Sequence, residues 1–247
     1  FPQHGPAAQH HGYRLADLFV IKRGLATGDN GFFIIDEERV KELNLPARFL
    51  RPILPSSRHI QADEILADAK GIPLLQKRQF LIDCDIPAAD IQREYPSLWA
   101  YLETGLDTVA EAYLCKSRKS WYMQEKRAVA PIICTYLGRS DSARRPFRFL
   151  LNHSHAIATN VYLMLYPQPV LSALLATHPD VLRELWEALN AIKTETLLGN
   201  GRVYGGGLHK LEPRELANVP ADDLAALVGM PPQKPNHQLE LLEAVTA

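Results

Sequence analysis

The apolar residues of this chain change their spacing at Pro167, and that change restricts the class of fold open to it. From Phe19 to Leu165 they come in short runs rich in Ile, Val, Phe and Tyr, punctuated by Pro, Gly, Asn and Asp; after Pro167 they recur at i, i+3 and i+4. The first pattern suits strands and the second amphipathic helices. We therefore expect a mixed α+β fold: a linker over 1–14, a β-rich recognition body over 15–167, and a helical region over 168–247 that contains a Gly-rich loop at 199–207. A chain of 247 residues with 47% hydrophobic content can bury a sizeable core.

Within the first part, segments 19–23 and 31–35 read as strands joined by a hairpin-like turn, Thr27-Gly28-Asp29-Asn30. Residues 37–43 and 62–70 read as short helices, 80–84 as a strand, and 96–114 as one longer helix with Pro96 in its first turn. Strands follow at 128–136, 147–151 and 156–165. In the second part, 170–176 and 181–193 read as helices, with Leu182, Leu185, Trp186 and Leu189 sharing the buried face of the latter. Short closing helices are expected at 222–228 and 239–245.

Composition removes several classes of function. The three cysteines, Cys84, Cys115 and Cys134, are far apart and lack the paired spacing of a zinc site or a disulfide framework. The histidines form no metal-like grouping. No apolar run approaches the roughly 20 residues that span a bilayer, so no membrane partner and a cytoplasmic location are expected.

The net charge of −1 hides an uneven distribution: between Cys115 and Arg148 nine basic residues face two acidic ones, a local +7, and the remainder sums to −8. A phosphate backbone responds to local charge, which makes this stretch a candidate nucleic-acid surface. Its candidate contacts are Lys116, Arg118, Lys119, Arg139, Arg144 and Arg145, with Trp121 and Tyr122 interleaved. Two glycine-bearing loops add to them. Arg23, Thr27 and Asn30 flank Gly24 and Gly28, and Arg202, Tyr204, His209 and Lys210 flank three successive glycines, Gly205 and Gly206 among the candidate contacts, that would let a backbone approach a phosphate. Asn152 and Asn160 carry amides of the kind that pair with adenine edges. Each has a structural alternative: a solvated cationic face, a positive-φ turn, a plain loop, or an amide that caps backbone.

Three segments carry a family resemblance. Lys22-Arg23-Gly24-Leu25-Ala26-Thr27-Gly28-Asp29-Asn30-Gly31-Phe32-Phe33 is similar to an RGxATGxNxxF signature. A central stretch runs from Trp121-Tyr122 through Pro131-Ile132-Ile133 to Asn152 and Thr159-Asn160. Tyr204-Gly205-Gly206-Gly207-Leu208-His209-Lys210-Leu211-Glu212-Pro213-Arg214-Glu215-Leu216 resembles a GG-x-x-K-L-x-P-x-x-L element. In order and spacing they resemble the C-terminal target-recognition (specificity) domain of TaqI-like, gamma-class adenine-specific DNA methyltransferases of restriction-modification systems.

That resemblance implies a DNA-methylase specificity-domain-like fold whose function is sequence-specific recognition of double-stranded DNA. It implies a methyltransferase domain N-terminal to it in the same polypeptide, which would hold S-adenosylmethionine and methylate the exocyclic amine of adenine. The chain itself has no Asn/Asp-Pro-Pro-Tyr/Phe tetrapeptide; the nearest, Gly229-Met230-Pro231-Pro232, lacks both amide and ring. No catalytic residue, cofactor or metal is therefore expected in it. An RNA-binding module of a modification enzyme, and a protein module docking a restriction or translocase subunit, remain as alternatives.

Overall fold

A computed structural model of the chain describes residues 12–139, 145–204 and 207–233. Its strands in chain order are β1 (Phe19–Arg23), β2 (Ile34–Asp36), β3 (Leu50–Ile53), β4 (Glu64–Ile65), β5 (Gln79–Ile82), β6 (Ile132–Thr135), β7 (Leu137–Arg139), β8 (Phe149–Asn152), β9 (Tyr162–Pro167), β10 (Arg202–Tyr204) and β11 (Leu208–Lys210). With the helices between them they make the mixed α+β class expected. The grouping in space is not sequential, however. One unit gathers Phe1–Lys22, Tyr136–Phe149 and Leu165–Ala247, and a second gathers Arg23–Thr135 and Leu150–Met164.

The second unit is built on two sheets. In one, β5 lies between β2 and β3, antiparallel to both, with Leu81 opposite Ile34 and Ile82 opposite Leu50. In the other the strand order runs β9-β6-β8-β4, and β4 pairs with β8 in parallel, Glu64 opposite Leu151. Strands β6 and β8 are buried at every position, which is why their sequences are continuous apolar runs without alternation. Leu25, Phe33, Ile53, Leu81, Ile132, Ile157 and Leu163 are all fully enclosed.

Three expectations fail here, the first two because a side chain captures backbone groups. The turn 27–30 does not close a hairpin: β1 lies beside β9, whereas β2 pairs with β5. Asp29 instead caps the short helix Asn30–Phe33, accepting the Phe32 N–H at 3.0 Å, so the chain turns helical where a strand was expected. Residues 62–70 form no helix. The Asp68 carboxylate accepts both the Lys70 and the Ile72 N–H at 2.9 Å, and the resulting turn folds Leu74 back on Leu66, N–H to carbonyl at 2.8 Å. The segment 96–114 is helical only over Pro96–Glu103, then continues as a 3-10 turn, Val109–Glu111, and a separate helix, Tyr113–Lys116. Gly105 ends the first helix where the chain passes so close to the rings of Phe32 and Trp121 that a Cβ would meet Phe32 at 2.7 Å.

In the first unit the helices Pro169–Thr177 and Val181–Ala191 form as expected. Leu185 and Leu189 are fully buried, while the Trp186 indole N–H donates to the Phe149 carbonyl at 2.8 Å. After the helix Thr194–Asn200 the chain does not pass through a plain loop to the next helix. It makes an antiparallel ribbon, β10 to β11, with Val203 opposite His209, and β11 also pairs with β7, His209 opposite Gly138. Gly138 is required in this sheet because the Pro146 carbonyl occupies the space a Cβ would need. The helix Asp222–Leu227 agrees with expectation, and the one expected at 239–245 lies outside the described residues. Among the described residues no helix is long and apolar enough to cross a membrane.

Leu163 is completely enclosed in β9 and Val161, two residues earlier, is 39% exposed. Leu163→Ala should lower stability by about 2–5 kcal/mol and Val161→Ala by less than about 0.5 kcal/mol, read from urea unfolding midpoints.

Candidate nucleic-acid interface

In the second unit the segment from Arg23 to Asn30 is fastened from two sides. Gly24 donates its N–H to the Tyr162 carbonyl and Leu25 to the Ala158 carbonyl, both at 2.9 Å. A Cβ at Gly24 would lie 2.6 Å from the Ala158 oxygen, so glycine is needed for this approach of two backbones. On the other side stands Arg118, whose guanidinium donates to the Ala26 carbonyl at 3.1 Å and to the Trp121 carbonyl at 3.4 Å, and lies 5.8 Å from the centroid of the Phe33 ring. Burial pushes this guanidinium below its ordinary pKa. Gly28, at φ +91°, rests on the Cys115 sulfur, which a Cβ would meet at 2.6 Å. The loop is thereby bolted to the helix Tyr113–Lys116.

Aromatic rings fill the space behind it. Phe32 stacks on Tyr101 at 4.8 Å between centroids, Trp121 sits 5.7 Å from Phe32 and 6.0 Å from Phe33, and the Tyr101 hydroxyl donates to the Phe32 carbonyl at 2.6 Å. Thr27, Asn30, Arg118 and Trp121, distant in sequence, thus belong to one assembly. Not all of them face solvent. Thr27 is 1% exposed and gives its hydroxyl hydrogen to Asn30 Oδ1 at 2.7 Å. Tyr122 is 2% exposed with its hydroxyl on the Ile86 carbonyl at 2.8 Å, which corrects its place among surface contacts: an enclosed ring has no face for a duplex.

Three cations of the basic stretch are engaged with carboxylates at close range. Lys116 pairs with Glu111, Arg127 with Glu125 at 3.1 Å, and Lys126 with Asp83 at 3.1 Å and Asp85 at 3.3 Å, all in the second unit. Hydrogen bonding to those two carboxylates outweighs desolvation and raises the Lys126 pKa. Arg139, Arg145 and Arg148 belong to the first unit, and Arg148 is buried there. Of the described cations in the stretch, Lys116, Lys126 and Arg127 are thus engaged in ion pairs and Arg148 is enclosed. Lys119 is exposed, and so is Arg23, whose Nε donates to the Asn160 carbonyl at 2.9 Å. Asn152 is 6% exposed and saturated: its amide N–H groups reach the Ala130 and Ala156 carbonyls at 3.2 and 3.1 Å, and its oxygen accepts from the Ser154 N–H and hydroxyl. It holds a turn and has nothing left for a base edge.

In the first unit one small sheet assembles Arg139, Arg202, Tyr204, His209 and Lys210. Here too charge is used internally. Arg202 Nε meets Glu215 at 2.6 Å, and Lys210 meets Glu212 at 2.7 Å while lying 5.1 Å from the Tyr136 ring centroid. Those carboxylates raise the pKa of both cations. Tyr136 donates its hydroxyl to the same Glu212 at 2.7 Å, and Glu215 accepts the Glu212 N–H at 2.7 Å, closing the N-terminus of the helix Pro213–Ala217. The closing sequence element is thus a ribbon locked to a helix cap. His209 is 8% exposed, Tyr204 is 38% exposed, and Arg145 is exposed with its guanidinium on the Asn190 carbonyl. Arg144, Gly205 and Gly206 lie outside the described residues.

One exposed residue was hidden by the expectation of a continuous helix over 96–114. Tyr113 is 89% exposed, and the helix stop at Thr104-Gly105 is the signal that would have separated its segment. Among the described residues no three His, Cys, Asp or Glu side chains stand together as a metal site.

An α+β fold in which an arginine ties the first glycine-bearing loop to its neighbours, and ion pairs tie a short ribbon to a helix cap, is the class of protein this geometry defines. Residues 7–241 match the family described as the C-terminal domain of the Type II methyltransferase M.Eco57I, and the chain belongs to that family. It is 32% identical over 215 residues to the Type II methyltransferase M.XamI of Xanthomonas campestris pv. amaranthicola, covering 83% of this chain and 35% of that protein. It is 25% identical over 210 residues to the Type II methyltransferase M.AccI of Acinetobacter calcoaceticus, covering 84% and 36%. The chain spans about a third of the length of these relatives. Among solved structures, the Type IIL restriction-modification enzyme MmeI in complex with DNA aligns with a TM-score of 0.45 at 14% identity, over 93% of this chain and 35% of that one. The type IIG restriction endonuclease BpuSI aligns with a TM-score of 0.42 at 17% identity, over 90% and 26%.

Two substitutions test these placements. Gly28→Ala, which forces a Cβ at positive φ toward Cys115, should lower stability by about 1–3 kcal/mol in thermal unfolding. Lys210→Met should cost about 1 kcal/mol, because it removes one partner of the half-buried Glu212; wild-type stability in that variant would show that the ion pair holds nothing.

Proposed function

We propose that this chain selects and grips the target site in double-stranded DNA for an adenine-N6 methyltransferase of a restriction-modification system. Methyl transfer and S-adenosylmethionine would belong to a methyltransferase domain N-terminal to it in the same polypeptide. The observation that carries this proposal is membership, over residues 7–241, of a family of C-terminal domains of Type II methyltransferases. The physical logic agrees. An enzyme that modifies adenine must take the base out of the stack, at a cost of a few kcal/mol, and some other surface must hold the duplex meanwhile.

The internal ion pairs shrink the set of groups expected to touch DNA. In the second unit it comprises Arg23, Asn30 and Lys119, all exposed; in the first it comprises Tyr204 and Arg145. Thr27, Tyr122, Arg118, Arg202, His209 and Lys210 act by shaping the loops that present them. Among the described candidates few cations then face phosphates. Counterion release contributes roughly −0.9 to the log-log salt slope for each phosphate neutralised, so we expect a slope of about −2 to −4 rather than one near −8.

The test is fluorescence anisotropy of labelled duplex DNA and of a structured RNA against the chain across a salt series. Duplex DNA should bind more tightly than RNA, with that moderate slope, and Lys119→Glu should weaken binding several-fold and reduce the slope by about one. Preference for RNA would move the chain to an RNA-modification role. A slope near zero on both would leave protein docking as its function.

A further inference from the structure

We infer that a groove of about 400 Å³ in the first unit is the seat of the domain that precedes Gly12 in the same polypeptide, an apolar segment of which fills it. This rests on the reading given above, in which a methyltransferase domain lies N-terminal to this chain, and adds the place where the two meet. The groove is lined by Ala188 and Ala191 of the helix Val181–Ala191, by Ile192 after it, and by Pro220 and Leu224 at the start of the helix Asp222–Leu227. Those two helices pack on each other.

The first described residues fix where the preceding polypeptide arrives. Gly12 lies against the Asp222 carboxylate, where a Cβ would collide with it. Tyr13 donates its N–H to the same carboxylate at 2.8 Å, accepts the Ala221 N–H at 2.8 Å, and sends its hydroxyl to the Pro231 carbonyl at 2.7 Å. Arg14 bridges to Pro220 and donates from its guanidinium to the Asn218 side chain at 3.0 Å, and the Leu15 N–H reaches the Val219 carbonyl at 3.0 Å. Pro220, Ala221 and Asp222 are themselves lining residues of the groove. Residues at the edge of a domain stay loose unless something ties them down, and Tyr13 and Arg14 are tied to the groove's own wall. Whatever precedes Gly12 is thereby delivered at its rim.

The chemistry of the groove selects the kind of occupant. Its charged lining residues, Lys193, Asp222 and Asp223, are all exposed, whereas Ala221 and Leu224 are buried. A site for a small polar ligand needs polar groups converging within it. An apolar centre inside a charged rim is the anatomy of a protein interface. The relatives point to the source: the family is one of C-terminal domains, and the chain spans about a third of the length of the Type II methyltransferases it matches. Attachment at Gly12 makes docking intramolecular, so a groove of this size suffices without high affinity of its own.

The test is hydrogen–deuterium exchange of the amides in 188–193 and 221–224, compared between the full-length polypeptide with its preceding domain and the chain of 247 residues. Exchange should be about tenfold slower in the full-length polypeptide. Ala191→Arg, which puts a long cation at an exposed position of the lining, should abolish that protection and leave the melting temperature of the shorter chain unchanged, while Ala191→Ser should keep it. Equal exchange in the two proteins overturns the inference, and equal protection would assign the groove to the chain's own residues 234–247. Protection of the shorter chain that grows with its concentration would assign it to a second copy, and overturns the inference too. The reading beneath it is checked in the same samples, because S-adenosylmethionine should raise the melting temperature of the full-length polypeptide, wild type and Ala191→Arg alike. That shift without groove protection sinks the inference alone; protection without the shift leaves the docking in place and removes the methyltransferase.

Discussion

A buried backbone N–H or carbonyl must have a partner, and in this protein regular secondary structure supplies too few. Among the described residues the longest strand has 6 residues and the longest helix 11, so much of the chain runs through the interior as irregular segments. Side chains close the gap. Tyr162 reaches the Pro55 carbonyl, Tyr122 that of Ile86, Arg51 that of Arg127, Arg118 that of Ala26, Trp186 that of Phe149, and Asn152 those of Ala130 and Ala156. Each is a polar group on a residue with a large apolar or extended body, able to fill volume and satisfy a distant carbonyl together.

The same requirement explains the fate of the charges. Asp83 is buried and accepts from both Arg51 and Lys126, at 3.5 and 3.1 Å, because a carboxylate removed from water needs more than one donor. Glu212 takes a tyrosine hydroxyl and a lysine, and Glu215 an arginine and a backbone N–H. Cations committed to such pairs have little left to offer a phosphate. Net charge along a stretch of sequence therefore overstates the field outside the molecule.

These clamps also give meaning to the motifs shared with the family. The glycines of the first loop are places where backbone meets backbone or a sulfur, and the lysine, glutamates and proline of the closing element lock a ribbon to a helix cap. Many motif residues build the scaffold, and the exposed side chains that could face a ligand lie among or beside them, at Arg23, Asn30 and Lys119 in the second unit and Tyr204 in the first. Loops positioned by a rigid frame are where binding specificity is commonly carried, since their side chains can change without loss of the frame.

The sequence alone was enough to determine the α+β class, the buried strands β6 and β8, the helices Val181–Ala191 and Asp222–Leu227, and the family resemblance, because each of these is written in local periodicity or in short fixed spacings. It could not show that 27–30 is a helix cap rather than a hairpin turn, that 62–70 is a turn closed by Asp68, or that 199–207 begins a ribbon beside β7. Those outcomes turn on which distant carbonyl or ring comes within reach. Nor could it show that Lys119 stays exposed while Tyr122 is enclosed, although both read as DNA contacts. Only tertiary structure decided which were enclosed and paired and which were left in water, since burial and Coulomb pairing depend on separations in space of a few ångströms that residue order does not specify.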